Sequence, residues 1–308
     1  MAGLLDIPGL RIGHWTGQRT GCTVVLTPPE GAVAGMDVRG GAPATYNVEL
    51  LRPVNLVERV NALMLSGGSA FGLETCSGAI KWLHDRGTGF LYGGVHVPIV
   101  CGAGIFDLGV ALGPPPDAAN GYAAGEVASA TEDRRGLIGA GAGATAGKAL
   151  GRDGAMAGGL GMASVRAGHH TVAALAVVNA FGDVVDRRGD IVAGARKPDG
   201  SFVDAVSLIA GDGQLRHATP SNTTLAIVAT TAPLLREGAV KMAQMAHDGM
   251  ARAIRPAHTM VDGDVVFSLS VPSRDAEPAD VSALGAMAAE ALQDAILNAV
   301  RQANGIAP

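Results

Sequence analysis

Hydrophobic and polar positions alternate with glycine-rich breaks through the first half of the chain. Residues 10–27 (LRIGHWTGQRTGCTVVLT) predict two short strands. Residues 37–43 (DVRGGAP) form a polar, Gly-rich loop. Residues 61–65 (NALML) predict a buried strand entering 66–70 (SGGSA), where glycine permits a tight strand-to-helix turn. Residues 71–86 (FGLETCSGAIKWLHDR) have helical spacing. Another short apolar run begins at 98–100, a loop follows at 113–118 (GPPPDA), and 139–147 is a low-complexity Gly/Ala tract. Residues 155–166, 171–179 and 183–185 predict successive strands of a meander. Residues 192–218 are variable in character and turn polar toward their end.

The pattern then changes. Residues 223–229 (TTLAIVA) predict a β-branched strand. Thr231 is a candidate cap, with Pro233 near the start, for a helix running to about Ile254. Residues 264–270 (DVVFSLS) predict another strand, and 281–303 a closing amphipathic helix. There is no internal repeat and no long linker. The expectation is one α/β domain over residues 1–308, strands inside and helices outside.

Composition sharpens this picture. Hydrophobic residues are 48% of 308, which excludes intrinsic disorder. Aromatics are only 4% and Gly numbers 45, so layers packed backbone to backbone are expected. The net charge of −5 and the lack of a basic run argue against a nucleic-acid partner. The start MAGLLDIPGLRIGHW has no basic n-region and no long apolar core, so no secretory signal is expected. The longest apolar run, about residues 171–181, is too short to span a membrane and suits a buried strand. Cys22, Cys76 and Cys101 are odd in number and lack CxxC spacing, which predicts reduced thiols in a cytoplasmic protein.

Several familiar motifs fail. Residues 142–149 (AGATAGKA) lack the first Gly and the final Ser/Thr of a P-loop, so the Mg²⁺-binding hydroxyl is missing. Residues 158–161 (GGLG) do not complete a dinucleotide-binding turn. His169–His170 stands without a metal-binding companion motif, and no GxSxG elbow is present. Neither cofactor nor metal is expected.

The segment 220–231 (PSNTTLAIVATT) brings a polar loop directly onto a strand at Thr223. One reading is simply a loop and a Thr-rich strand start. The other is self-cleavage between Asn222 and Thr223. The Thr hydroxyl attacks the preceding carbonyl, an ester forms by N-to-O shift, and water releases a Thr with a free α-amine. An α-amine has a reference pKa of about 7.7–8.0, so the residue supplies both nucleophile and base. Such chemistry needs helpers. Asn179 ends an apolar strand and is a candidate oxyanion donor, or a turn residue. Asp262 and Asp264, two apart on an extended segment, share one face and could orient an amine or hydroxyl, or form an exposed turn. Lys148, after the Gly/Ala tract, could supply positive charge or lie on the surface.

These segments together resemble the DmpA-type aminopeptidases, a family of N-terminal-nucleophile hydrolases that includes β-peptidyl aminopeptidases and nylon-oligomer (6-aminohexanoate-oligomer) endo-hydrolases. The resemblance rests on GLRIGHWTG at 9–17, DVRGGAP at 37–43, LSGGSAFGLE at 65–74, VVNAFGDV at 177–184, NTTLAIVAT at 222–230 and AHDGMARAIRPAHTMVDGDVVF at 246–267. It implies a four-layer αββα sandwich and a precursor cut into residues 1–222 and 223–308. It places the nucleophile at Thr223, the family Asn at Asn179, its Lys at Lys148, and the acidic pair of the nylon-type branch at Asp262 and Asp264. The family often sets Tyr or Trp before an Asp in the substrate pocket; here Phe106 precedes Asp107, without hydroxyl or indole N–H. The implied activity is hydrolysis of a small peptide or amide by a homo-oligomer, tetrameric or larger. An acyltransferase resembling the ornithine acetyltransferases and an uncleaved binding protein are the alternatives.

Overall fold

A computed structural model of the protein describes residues 3–212 and 222–307. Two mixed sheets lie face to face. The first has five strands in the spatial order Arg11–Thr16, Gly21–Leu26, Ala62–Ser66, Val100–Gly104, Ala44–Tyr46. The second has six, in the order Gly159–Ala167, His170–Asn179, Thr223–Thr230, Val265–Ser270, Ala32–Val38, Arg59–Val60. Each sheet contains one parallel pair: Ala62–Ser66 with Val100–Gly104, and Thr223–Thr230 with Val265–Ser270.

Side-chain alternation assigns the layers. Along the Thr223 strand, Leu225, Ile227 and Ala229 enter the core between the sheets, where they join Leu175, Val177, Phe267, Leu63 and Leu65. The intervening Ala226 and Val228 face the opposite way, into a core shared with the helices Arg236–Ala253 and Val281–Asn304. The first sheet repeats the scheme. Val25 and Cys101 point inward, while Val24, Met64 and Val100 meet Ala79, Trp82 and Leu83 of helix Thr75–His84 and Ala124 of helix Ala118–Glu126. The result is the αββα order of layers. Strands buried on both faces cannot alternate apolar with polar, which explains the continuous apolar runs in the sequence.

Small residues set the spacing. A Cβ on Gly249 would lie 2.0 Å from the Ala289 carbonyl oxygen of the neighbouring helix, and one on Gly161 would lie 2.2 Å from that of Ala295. The long helices therefore meet each other and the sheet almost backbone to backbone. Asp280 caps the last helix by accepting the Ala283 N–H at 2.9 Å.

Three sequence expectations change. The helix expected from Thr231 begins at Arg236 instead, with Leu235 at the cap position. The Thr231 hydroxyl accepts the Thr171 N–H at 2.9 Å and closes the strand end. The meander breaks after its second strand, because Thr223–Thr230 occupies the other edge of His170–Asn179. Asp183–Val185 consequently leaves for a small sheet with Ile191–Ala193 and Ile254–Arg255. The helical span 71–86 divides into a turn, Ser69–Gly72, and a helix, Thr75–His84. Gly72 is the tight point, since a Cβ there would meet the Gly67 carbonyl at 1.7 Å.

The Gly249 contact generates a prediction. Gly249→Val should force the two long helices apart and destabilise the fold by about 1–3 kcal/mol or more, the usual cost of overpacking. A melting temperature equal to wild type in thermal denaturation would contradict this packing.

Candidate active site

Thr223 opens a strand whose eight residues are all buried. It stands opposite Asn179 in the antiparallel register. On the other side the parallel pairing is extended by an isolated bridge between Asn222 and Asp262. The preceding loop residues Pro220 and Ser221 lie outside the described residues.

Two groups converge on the carbonyl between Asn222 and Thr223. The Thr223 hydroxyl donates to the Asn222 carbonyl oxygen. The Gly263 N–H donates to that same oxygen at 2.9 Å. The placement is confined. A Cβ on Gly263 would lie 2.6 Å from the Ala42 carbonyl oxygen and 2.7 Å from Thr223 Oγ1. The loop 39–42 closes over this segment: Arg39 N–H donates to the Asp264 carbonyl (3.1 Å), Gly41 N–H to Thr259 (3.1 Å) and Ala42 N–H to Asp262 (2.8 Å). Gly40 has room for no side chain, its Cβ position being 2.2 Å from Asp264 N. The DVRGGAP loop is thus a clamp on the acidic segment.

Asn179, Lys148 and Thr145 form one cluster. Lys148 Nζ donates to the Asn179 side-chain oxygen at 2.8 Å and to its carbonyl at 3.0 Å. Thr145 N–H donates to the same side-chain oxygen at 3.1 Å. The Asn179 side-chain amide donates to the Phe106 carbonyl at 3.2 Å. So Phe106 enters the site through its backbone. The Gly/Ala tract delivers Thr145 and Lys148 by threading between backbones: a Cβ on Gly143 would lie 2.1 Å from Arg19 O, and one on Gly147 would lie 2.2 Å from Gly194 C. Lys148 is buried, and desolvation lowers its pKa to about 7, although Asp262 and Asp107 pull it upward.

The two aspartates are both buried but reach different partners. Asp262 accepts the Phe181 N–H (3.1 Å) and the Thr259 hydroxyl (2.5 Å). Asp264 accepts the Thr224 N–H at 2.8 Å through one oxygen. Its other oxygen takes both the backbone N–H and Nδ1 of His258, each at 2.9 Å. Burial, and then repulsion from Asp264, raise the Asp262 pKa to about 6. The expected shared face therefore resolves into two acceptors with separate tasks: Asp264 secures Thr224, next to Thr223, and Asp262 secures Phe181 and Thr259. Among the described residues no cluster of three or more His, Cys, Asp or Glu is placed to hold a metal ion.

Sequence reasoning passed over His258, Gly263, Thr145 and Asp107. His258 holds a left-handed backbone (φ 59°), unusual for a non-glycine residue, with Asp264 gripping both its N–H and its ring. Its signal was its place six residues before Asp264. Asp107 is fully buried and accepts the Gly68 N–H at 2.7 Å, and burial raises its pKa.

The model of Peptidase family S58 matches residues 3–308. The chain belongs to this family. An uncharacterized aminopeptidase of Mycobacterium leprae is 39% identical, covering 100% of this chain and 92% of that protein. A 6-aminohexanoate-oligomer endohydrolase of Kocuria sp. is 32% identical, covering 96% of this chain and 85% of that one. The fold matches the Burkholderia sp. beta-aminopeptidase with a TM-score of 0.73 at 22% identity, covering 97% of this chain and 86% of that one. It matches the L-aminopeptidase D-Ala-esterase/amidase from Ochrobactrum anthropi, described as a variant of the Ntn hydrolase fold, with a TM-score of 0.70 at 18% identity, covering 98% and 86%. As a member of this family the protein is a hydrolase acting on amide and peptide bonds. Among the described residues no helix is long and apolar enough to cross a membrane.

The pKa of Asp262 sets a pH signature. An acid whose folded pKa is raised binds more protons folded than unfolded between about 4 and about 6. Its ionisation therefore removes stability as pH rises through that window. Asp262→Asn, with no proton to lose, should gain stability relative to wild type from pH 4 to 6, and the difference should level off above. Melting temperatures of both proteins across pH 4–8 check this; a constant offset would refute it.

Proposed function

We propose that the chain cuts itself between Asn222 and Thr223 and that Thr223 then serves as the N-terminal nucleophile. The observation carrying this reading is the Asn222 carbonyl, met by the Thr223 hydroxyl on one side and the Gly263 N–H on the other. Oγ attacks the carbonyl carbon, and Gly263 N–H stabilises the charge that builds on the oxygen. The C–N bond breaks and the Thr223 nitrogen leaves as an amine with a proton, giving an ester on Oγ. Water then hydrolyses the ester to the Asn222 carboxylate and a free Thr223. In turnover the same Oγ attacks a substrate amide carbonyl while the Thr223 amine takes its proton; the C–N bond breaks, the leaving amine receives that proton, and water hydrolyses the acyl ester to a carboxylic acid and free Thr223 Oγ–H.

The remaining roles follow the hydrogen bonds. Asp264 secures Thr224, and with it the nucleophile's direction, and His258 braces Asp264. Asp262 fixes Thr259 and Phe181 around the Gly263 turn. Lys148 holds Asn179 opposite the nucleophile and places a basic group of lowered pKa beside it. Asn179 serves as a second polar donor once the chain is cut and substrate enters.

The substrate in this reading is a small peptide or amide, and the protein works in the cytoplasm as a homotetramer or larger assembly. Three free cysteines, all buried, with Cys22 and Cys101 pushed up to about 12 by desolvation, suit a reducing compartment. The hairpin Phe90–Tyr92 and Val95–Val97 leaves Leu91 60%, Tyr92 74% and Val95 53% exposed, an apolar surface that suits subunit contact.

Wild type should separate on a denaturing gel into chains of 222 and 86 residues (308 − 222), the smaller beginning TTLAIV. Thr223→Ala should remain one chain of 30.9 kDa and be inactive toward amides. Gly263→Ala keeps the N–H, but its Cβ would lie 2.6 Å from Ala42 O and 2.7 Å from Thr223 Oγ1; displacing the donor should slow the cut by about 10²–10³, the usual effect of an oxyanion donor. Full activity in Thr223→Ala would place the nucleophile elsewhere.

Sedimentation should show wild type at four times the chain mass or more. Leu91→Lys with Tyr92→Lys should shift it to smaller species. A wild-type monomer at micromolar concentration would refute the assembly.

A further inference from the structure

A cavity of about 430 Å³ opens beside the Lys148–Asn179–Thr145 cluster. Thr145 lines it, and the same Thr145 donates its backbone N–H to Asn179, which faces Thr223 in the sheet. Two arginines, Arg19 and Arg152, line the cavity. Neither has an ion pair with an acid among the described residues. Asp153 is the one acid in the lining, which leaves a net positive charge there.

The positions of both arginines are built into the fold. Arg19 adopts a left-handed backbone (φ 58°), which costs a non-glycine residue energy unless its surroundings enforce it. Its backbone packs directly on the Gly/Ala tract, its carbonyl oxygen lying 2.1 Å from where a Gly143 Cβ would be. Arg152 lies over Gly109 so closely that a Cβ there would be 1.2 Å from Nη1. Glycine at 109 therefore leaves room for the Arg152 guanidinium at the cavity wall, and glycine at 143 lets the Arg19 backbone pack against the tract. Between them Val110, Leu112, Leu137 and Met156 contribute apolar lining.

We infer that this cavity is a carboxylate-binding subsite, in which Arg19 and Arg152 hold the free carboxylate of the substrate's leaving-amine half. Guanidinium forks match carboxylates in shape and charge, and a site built on them discriminates strongly against the neutral amide. The apolar lining accommodates the carbon chain between the scissile nitrogen and that carboxylate. The substrate class is thus a short peptide or ω-amino acid oligomer with an unblocked C-terminus. This rests on the hydrolase reading above for its direction, but the subsite can be tested without turnover.

The test is calorimetric titration of the full-length wild-type protein with 6-aminohexanoate and, separately, with 6-aminohexanamide as leaving-group probes. The acid should bind tenfold or more tightly than the amide. Arg152→Gln and Arg19→Gln should each remove most of that preference, and Arg152→Lys should keep part of it. Equal binding of acid and amide by wild type, no binding of either, or an unchanged preference in both Gln variants, would overturn the subsite. Loss of amide hydrolysis in wild type with this binding pattern intact would instead count against the hydrolase mechanism alone.

Discussion

Everything at the site depends on how firmly the strand Thr223–Thr230 is held. It is buried on both faces and paired along both edges, antiparallel to His170–Asn179 and parallel to Val265–Ser270. Its first residue inherits that rigidity. A hydroxyl on a loop would lose contact with the neighbouring carbonyl; a hydroxyl at the mouth of a central strand keeps it. The Asn222–Asp262 bridge carries the pairing one residue beyond the strand, across the Asn222–Thr223 bond proposed to react. Pre-organisation of this kind reduces the entropic cost of reaching a reactive geometry.

Around that strand the polar groups divide their work. Asp264 and His258 brace Thr224, the residue after Thr223, whereas Asp262 and Thr259 brace the turn that presents the Gly263 N–H. Lys148 lies deeper, and its burial is tolerable because its amine meets two oxygens of Asn179. The low-lying pKa of Lys148 and the raised one of Asp262 come chiefly from the same cause, loss of water. Titratable groups pushed toward neutrality inside one cluster are what amide chemistry near pH 7 requires.

Much of the architecture was legible because the apolar runs of strands such as 171–179 and 223–229 leave no other structure open to them. The break in the meander was not, since pairing partners 44 residues apart, Asn179 and Thr223, carry no local signal. Nor was the late start of the helix at Arg236, because Thr231 looks like a cap locally and is claimed by Thr171 only in three dimensions. At the site, Asn222, Thr223, Asp262 and Asp264 stood out through residue type and spacing. Gly263 was hidden because a backbone N–H belongs to every residue and acquires a role only from where it points. Lys148 read equally well as a surface residue until the Gly/Ala tract proved to be threaded through the interior.

The order of strands in the six-stranded sheet has one more consequence. The two central strands, Thr223–Thr230 and Val265–Ser270, follow the proposed cut, while their neighbours on both sides precede it. The two long helices that cover the sheet also follow the cut. Severing the chain therefore leaves its halves interleaved, like cards shuffled into one deck. Before the cut, folding is a property of a single molecule. Afterwards, recovery from complete unfolding needs two different chains to find each other, so it becomes dependent on concentration. The protein in this reading exchanges reversible folding for a free terminal amine, and its working lifetime is then set by how slowly the interleaved sheet comes apart.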